Sequence, residues 1–224
     1  MREVMVQYLQ HRLLRWFDEN QRVFPWREDG ATKYQQIVSE ILLQRTKAET
    51  VAKYFDTFFS KYPDWNALAN ASLEELEEVM KPLGLYRHRA KRLYKLGEDI
   101  RRRGGNIPGN SNELRDSGFI GLYVTNAFEL FILRNRKPLL DVNMSRLLKR
   151  YFKPGDFIDV RHDKEIQELA NDIVEVRRCK ELNWAILDYA ALVCKSRNPL
   201  CDECVLNKHC KYYELSKGNA VGIR

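Results

Sequence analysis

The chain has 224 residues, with 38 Lys and Arg against 31 Asp and Glu for a formal net charge of +7, and 44% hydrophobic against 31% charged residues. That balance is too apolar for a disordered basic tail and too charged for a membrane protein. The longest apolar stretch, 185–193, is broken by Asp188 and falls far short of the roughly 20 residues that span a bilayer. With no secretory signal at the N-terminus, a cytosolic protein of one or two domains is expected, with a core large enough to need no disulfide framework.

Helical spacing dominates from the start. Met5, Tyr8, Leu9, Leu13, Trp16 and Phe17 recur at three and four residues, and Phe24-Pro25-Trp26 ends that segment. Ile37, Ile41, Leu42 and Leu43 predict a helix over 34–46, and Val51, Tyr54, Phe55, Phe58 and Phe59 predict the next. Ser72 with Glu75 three residues on reads as a capping box opening an acidic helix to Met80. Pro82 and Gly84 break the chain before a basic helix over 86–103, closed by Gly104-Gly105. Then come a polar loop through Pro108, Gly109 and Asn110, a short helix near Leu114, the string Gly118-Phe119-Ile120-Gly121, and a helix over 122–133. Leu139-Leu140-Asp141 leads into a helix to Phe152. After a loop at Pro154-Gly155 two more amphipathic helices are expected, near 164–175 and 181–193. So many helices on such short connections predict an all-α protein.

The charge excess is local. Residues 81–103 hold Lys81, Arg87, Arg89, Lys91, Arg92, Lys95, Arg101, Arg102 and Arg103 against only Glu98 and Asp99, which is the whole net charge. Concentrated in one segment, it favours a polyanionic partner, the plain alternative being a solvated helix face.

Four of the five cysteines, Cys194, Cys201, Cys204 and Cys210, form a C-x6-C-x2-C-x5-C run. In a cytosolic chain such a cluster points to a metal centre rather than to disulfides. Zinc ribbons pair two C-x2-C knuckles, and one is present here, so the spacing leans toward a [4Fe-4S] cluster over zinc. Lys195 and Arg197, between the first two cysteines, suit a phosphate contact. The lone Cys179 is expected to pack in the core.

Gly118 and Gly121 bracket a turn between helices, an arrangement in which backbone N–H groups can grip a phosphate without reading sequence. Asp141, at a helix start, is in the usual place for an N-cap. Glu40 is a carboxylate in a largely apolar helix, where an exposed polar-face position is the ordinary expectation.

The segments Phe24-Pro25-Trp26-Arg27, Ser39-Glu40-Ile41-Leu42-Leu43-Gln44, Leu83-Gly84-Leu85-Tyr86-Arg87-His88-Arg89-Ala90, Gly121-Leu122-Tyr123, Leu140-Asp141-Val142-Asn143 and the cysteine tail together resemble the endonuclease III superfamily of helix-hairpin-helix DNA glycosylases, along nearly the whole chain. The nearest likeness is to the archaeal-type G·T mismatch thymine-DNA glycosylases, with the adenine glycosylases next. The resemblance implies a two-lobed fold: a helical lobe over 27–136 carrying the hairpin, and a second lobe of 1–26 plus 137–224 with the cluster loop, with Asp141 at the mouth near Tyr123 and Glu40. It implies flipping one base from double-stranded DNA and cutting its N-glycosidic bond, by a monomer working on the prokaryotic nucleoid, off the membrane.

Asp141 matches the family's catalytic aspartate, suited to stabilising an oxocarbenium-like sugar and orienting the attacking water. Tyr123 stands where strand-cleaving relatives carry a Schiff-base lysine, so the resemblance implies a monofunctional enzyme that leaves an abasic site. Glu40 matches a pocket glutamate. Gln44 and Leu85 match residues that wedge into the duplex, and Arg45, Arg87, Arg89, Gly118, Gly121, Lys195 and Arg197 are expected on DNA.

Adenine glycosylases carry a further C-terminal domain for 8-oxoguanine, and this chain stops soon after the cysteines. With Tyr123, that favours thymine or uracil opposite guanine over adenine. The hairpin departs from the family's Leu-Pro-Gly-Val-Gly, its first glycine displaced by one residue and its proline absent. A non-catalytic helix-hairpin-helix module is therefore the third reading.

Overall fold

The computed structural model describes residues 1–84, 86–106, 108–110, 112–113, 121–153 and 159–221. The expected helix near Leu114, the loop at Pro154-Gly155, and the candidate residues Leu85 and Gly118 lie outside that set. Among the described residues the regular structure is helical throughout. The chain divides into two compact units, Val23–Asn135 and the pair Met1–Arg22 with Arg136–Arg224.

The Val23–Asn135 unit contains α2 (Lys33–Leu43), α3 (Ala48–Lys61), α4 (Trp65–Asn70), α5 (Leu73–Met80), α6 (Tyr86–Arg102) and α7 (Leu122–Phe131). Its helices start where local chemistry satisfies the first free N–H groups. Thr32 with Gln35 and Ser72 with Glu75 form capping boxes, and Asp64 caps α4. The core is aromatic: Trp26 stacks on Phe24 at 4.8 Å, and Tyr34 meets Phe59 and Trp65 edge-on at 5.5 and 4.7 Å. α6 packs on α4 and α5 through Leu93, Leu96 and Ile100. Gly97 is required by that packing, because a Cβ there would lie 2.9 Å from the backbone oxygen of Leu68.

The other unit contains α1 (Arg2–Asn20), α8 (Val142–Phe152), α9 (Lys164–Val174), α10 (Cys179–Leu192) and α11 (Lys211–Val221). α1 lays Leu9, Leu13 and Phe17 against α10, which gives up Leu182, Ala185, Ile186 and Tyr189 to the same core. Each fully buried Leu or Phe contributes about 1.5–3 kcal/mol. Asp188, the charge that broke the apolar stretch, is fully buried and accepts from Arg22 through Nε at 2.8 Å and the backbone N–H at 3.1 Å. Cys179 is buried in this core as expected, and burial pushes its thiol up to about 11.

Candidate functional site

Asp141 is the N-cap of α8. Its Oδ1 accepts from the backbone N–H groups of Asn143 and Met144, both at 2.8 Å, and its Oδ2 accepts from Asn143 Nδ2 at 2.6 Å. The N-cap reading and the catalytic reading therefore describe the same atom arrangement. Burial pushes the carboxyl above the ordinary carboxylate value, against the opposing pull of Met144, Asn143 and the Arg146 charge. A half-buried carboxylate pinned by three donors cannot relax away from a cation forming beside it, which is what stabilising an electron-poor sugar requires.

Sequence reasoning did not single out the residues behind Asp141. Arg146 Nη1 donates to Asn143 Oδ1 at 2.9 Å, and its Nε and Nη2 reach the carbonyls of Cys194 and Ala190 at 3.0 and 2.7 Å. Asn183, fully buried in α10, accepts from Leu139 N–H at 2.6 Å and donates to the carbonyls of Lys137 and Cys179, fixing the segment that delivers Asp141. The available signal was spacing: Asn143, Arg146 and Arg150 recur along one helix whose first residue follows Asp141.

Glu40 and Tyr123 belong to the Val23–Asn135 unit, on α2 and α7, and meet directly. Glu40 is buried at 2% exposure, not on a polar face, and Tyr123 donates from its hydroxyl to Glu40 Oε2 at 2.7 Å. Gly121 is exposed and is the N-cap of α7, with no side-chain cap hydrogen bond.

The basic helix divides its cations. Arg87, Lys91 and Lys95, four residues apart, share one exposed face of α6. Arg89 does not join them. It is 3% exposed, and its guanidinium donates to the carbonyls of Leu83 at 2.8 Å and Gly84 at 2.5 Å, and to the Gln44 carbonyl and the Thr46 hydroxyl. The expectation of a phosphate contact for Arg89 is thus corrected: its donors are already engaged by the carbonyls of residues 44, 83 and 84 and by the Thr46 hydroxyl. Arg92 reaches the Gln44 side chain, and exposed Arg45 has a left-handed backbone with φ 59°. That turn stops α2 at Leu43, three residues before the expected end.

Cys194, Cys201, Cys204 and Cys210 are half-buried free thiols. Burial pushes Cys201, Cys204 and Cys210 up, the last to about 11. Among the described residues no three His, Cys, Asp or Glu side chains converge on a single-ion position. Lys195 and Arg197 are exposed in the loop after Cys194. Arg150 ties that loop to α8, donating to the carbonyls of Lys195 at 2.6 Å and Ser196 at 3.1 Å.

Residues 38–187 match the HhH-GPD superfamily of base excision DNA repair proteins, and residues 194–210 match the iron–sulfur binding domain of endonuclease III. The chain is 34% identical over 213 residues to a thymine-DNA glycosylase of Aeropyrum pernix, covering 93% of this chain and 95% of that one. It is 31% identical over 204 residues to a thymine/uracil-DNA glycosylase of Methanothermobacter thermautotrophicus, covering 90% and 91%. A solved thermostable thymine-DNA glycosylase superposes with a TM-score of 0.86 at 30% identity, over 95% of this chain and 98% of that one.

Proposed function

Given that the chain belongs to the HhH-GPD superfamily of base excision DNA repair proteins, we propose that it excises thymine or uracil mispaired with guanine and leaves an abasic site in an uncut strand. It is a DNA glycosylase acting on thymine and uracil; along nine-tenths of their length it matches one archaeal thymine-DNA glycosylase and one archaeal thymine/uracil-DNA glycosylase. The substrate is double-stranded DNA, engaged by a monomer on the prokaryotic nucleoid in the cytoplasm. No helix among the described residues is long and apolar enough to cross a membrane.

The observation that carries the mechanism is the pinned Asp141 carboxylate. With a base flipped out of the stack, its charge stabilises the sugar cation as the glycosidic bond breaks and orients the water that completes hydrolysis. Tyr123 supports the monofunctional reading: its phenol is hydrogen-bonded to Glu40, and it offers no amine to form a Schiff base with the opened sugar. The same pair supports a pocket that hydrogen-bonds the flipped pyrimidine. Gln44 and Leu85 would fill the gap in the duplex, and Arg45, Arg87, Gly118, Gly121, Lys195 and Arg197 would hold phosphates.

Cys194, Cys201, Cys204 and Cys210 would hold a [4Fe-4S] cluster. The donor set fits, since four soft, unpaired thiols supply one ligand to each of four irons and need not converge on one point. Held by these four cysteines, the cluster would supply a structural cross-link across the loop, as glycosidic hydrolysis transfers no electron.

Labelled G·T, G·U and A·8-oxoguanine duplexes, incubated with wild type and Asp141→Asn and then treated with alkali, test the proposal. Excision of T and U by wild type alone, with strand breaks only after alkali, is expected. Breaks without alkali would refute the monofunctional reading, adenine release would make it an adenine glycosylase, and tight mismatch binding with no turnover would leave a non-catalytic module.

A further inference from the structure

Tyr189 is 1% exposed in α10, its ring edge-on to Trp16 at 4.9 Å. A phenylalanine would serve that packing, whereas a buried hydroxyl needs partners. Tyr189 has two, the backbone N–H of Val205 at 2.8 Å and Sγ of Cys204 at 3.2 Å. The Val205 N–H can only donate, so the phenol oxygen accepts there and its single proton is left for the sulfur. The carbonyl of Val205 is fixed from α1, accepting from the Tyr8 hydroxyl at 3.4 Å and Arg12 Nε at 3.3 Å. A second donor stands at Cys194. Arg150 Nη1, on a group with no acceptor of its own, lies 3.6 Å from that sulfur, and the guanidinium carbon sits 4.9 Å from the centre of the Tyr212 ring.

We propose that Tyr189 and Arg150 are positioning residues for the iron–sulfur group, each donating a hydrogen bond to one ligand sulfur, Cys204 and Cys194. The group is thereby held longer, and at a higher reduction potential, than the four cysteines alone would give. This rests on the reading of 194–210 as the cluster loop. A donor on a thiolate draws charge off the sulfur and favours the cluster state with more electrons. Partners of this outer kind are worth about 10–100-fold in metal affinity. The cysteine spacing carries none of this information, because it is the same whether residue 189 is Tyr or Phe.

The test uses the full chain loaded anaerobically with iron and sulfide, as wild type, Tyr189→Phe and Arg150→Lys. Absorbance at about 400 nm reports loading, a ferrous chelator reports the rate of iron loss, and a redox titration reports the midpoint potential. Tyr189→Phe keeps the ring and removes only the hydroxyl. It is expected to lose iron about tenfold faster than wild type and to titrate at a lower potential, with Arg150→Lys shifted in the same direction. Wild-type rate and potential in Tyr189→Phe would overturn the proposal. Should that variant fail to fold, wild-type rate and potential in Arg150→Lys would overturn it alone. A wild-type protein with no such absorbance would instead overturn the cluster reading.

Discussion

The helices Tyr86–Arg102 and Val142–Phe152 both carry several arginines, yet they use them in opposite ways. On the first, Arg87, Lys91 and Lys95 face solvent and Arg89 alone turns inward to the carbonyls of residues 44 and 83–84. On the second, Arg146 and Arg150 both reach the carbonyls of the loop that begins at the end of α10. The difference lies in the supply of unsatisfied acceptors nearby. A guanidinium has five donors in a rigid fork and no acceptor, so it can satisfy several loop carbonyls at once, where an ammonium remains a point charge for solvent or phosphate. Counting cations therefore overstates the charge available to a partner, and the excess must be corrected for loops that end against the helix.

Three perturbations sharpen or break this contrast. The largest effect belongs to the carboxylate at the head of the second helix: Asp141→Asn should slow single-turnover excision by at least about a hundredfold. Because the folded protein holds this carboxyl above its ordinary value, the stability tied to it is present at acid pH and lost as pH rises through the raised value. Thermal melts at neutral pH should therefore show no loss of stability in the Asn variant, which also remains a good N-cap. The wild-type rate should fall on acidification before an ordinary aspartate would protonate, and a pH–rate profile checks this. Next, Arg89→Met should cost about 2–4 kcal/mol in denaturant unfolding, since it orphans buried carbonyls, while leaving the salt dependence of DNA binding unchanged. The smallest change is Arg87→Met, expected to leave stability within about 0.5 kcal/mol and to make the slope of log K against log salt less negative by about 0.9. A salt slope altered by Arg89→Met as much as by Arg87→Met would break the contrast.

The helices were legible wherever the deciding interaction is local. The Ser72 and Glu75 box, the start of α8 at Asp141, and the i, i+4 stripe of α1 all depend on neighbours within four residues. The end of α2 was not legible, because Gln44 and Thr46 are held by Arg89 from a helix some forty residues on. From its own helix Glu40 would read as an exposed polar-face residue, and only the resemblance pointed to a pocket; its partner Tyr123 is 83 positions away, beyond the reach of local spacing. Asp141 could be found from its surrounding residues, but the amide and guanidinium behind it could not, since a polar side chain in a helix carries no mark of which way it faces.

The discontinuous unit also dictates an order of events during synthesis. Val23–Asn135 is one continuous stretch and can fold as soon as it leaves the ribosome. The apolar face of α1, with Leu9, Leu13 and Phe17, must wait for α10 to be made. At typical translation rates that delay is roughly ten to thirty seconds, during which the nascent chain carries an uncovered hydrophobic helix on the N-terminal side of the folded stretch. A chaperone that binds such helices would have its best opportunity here, and release would coincide with the emergence of the residues that lead into the cysteine loop.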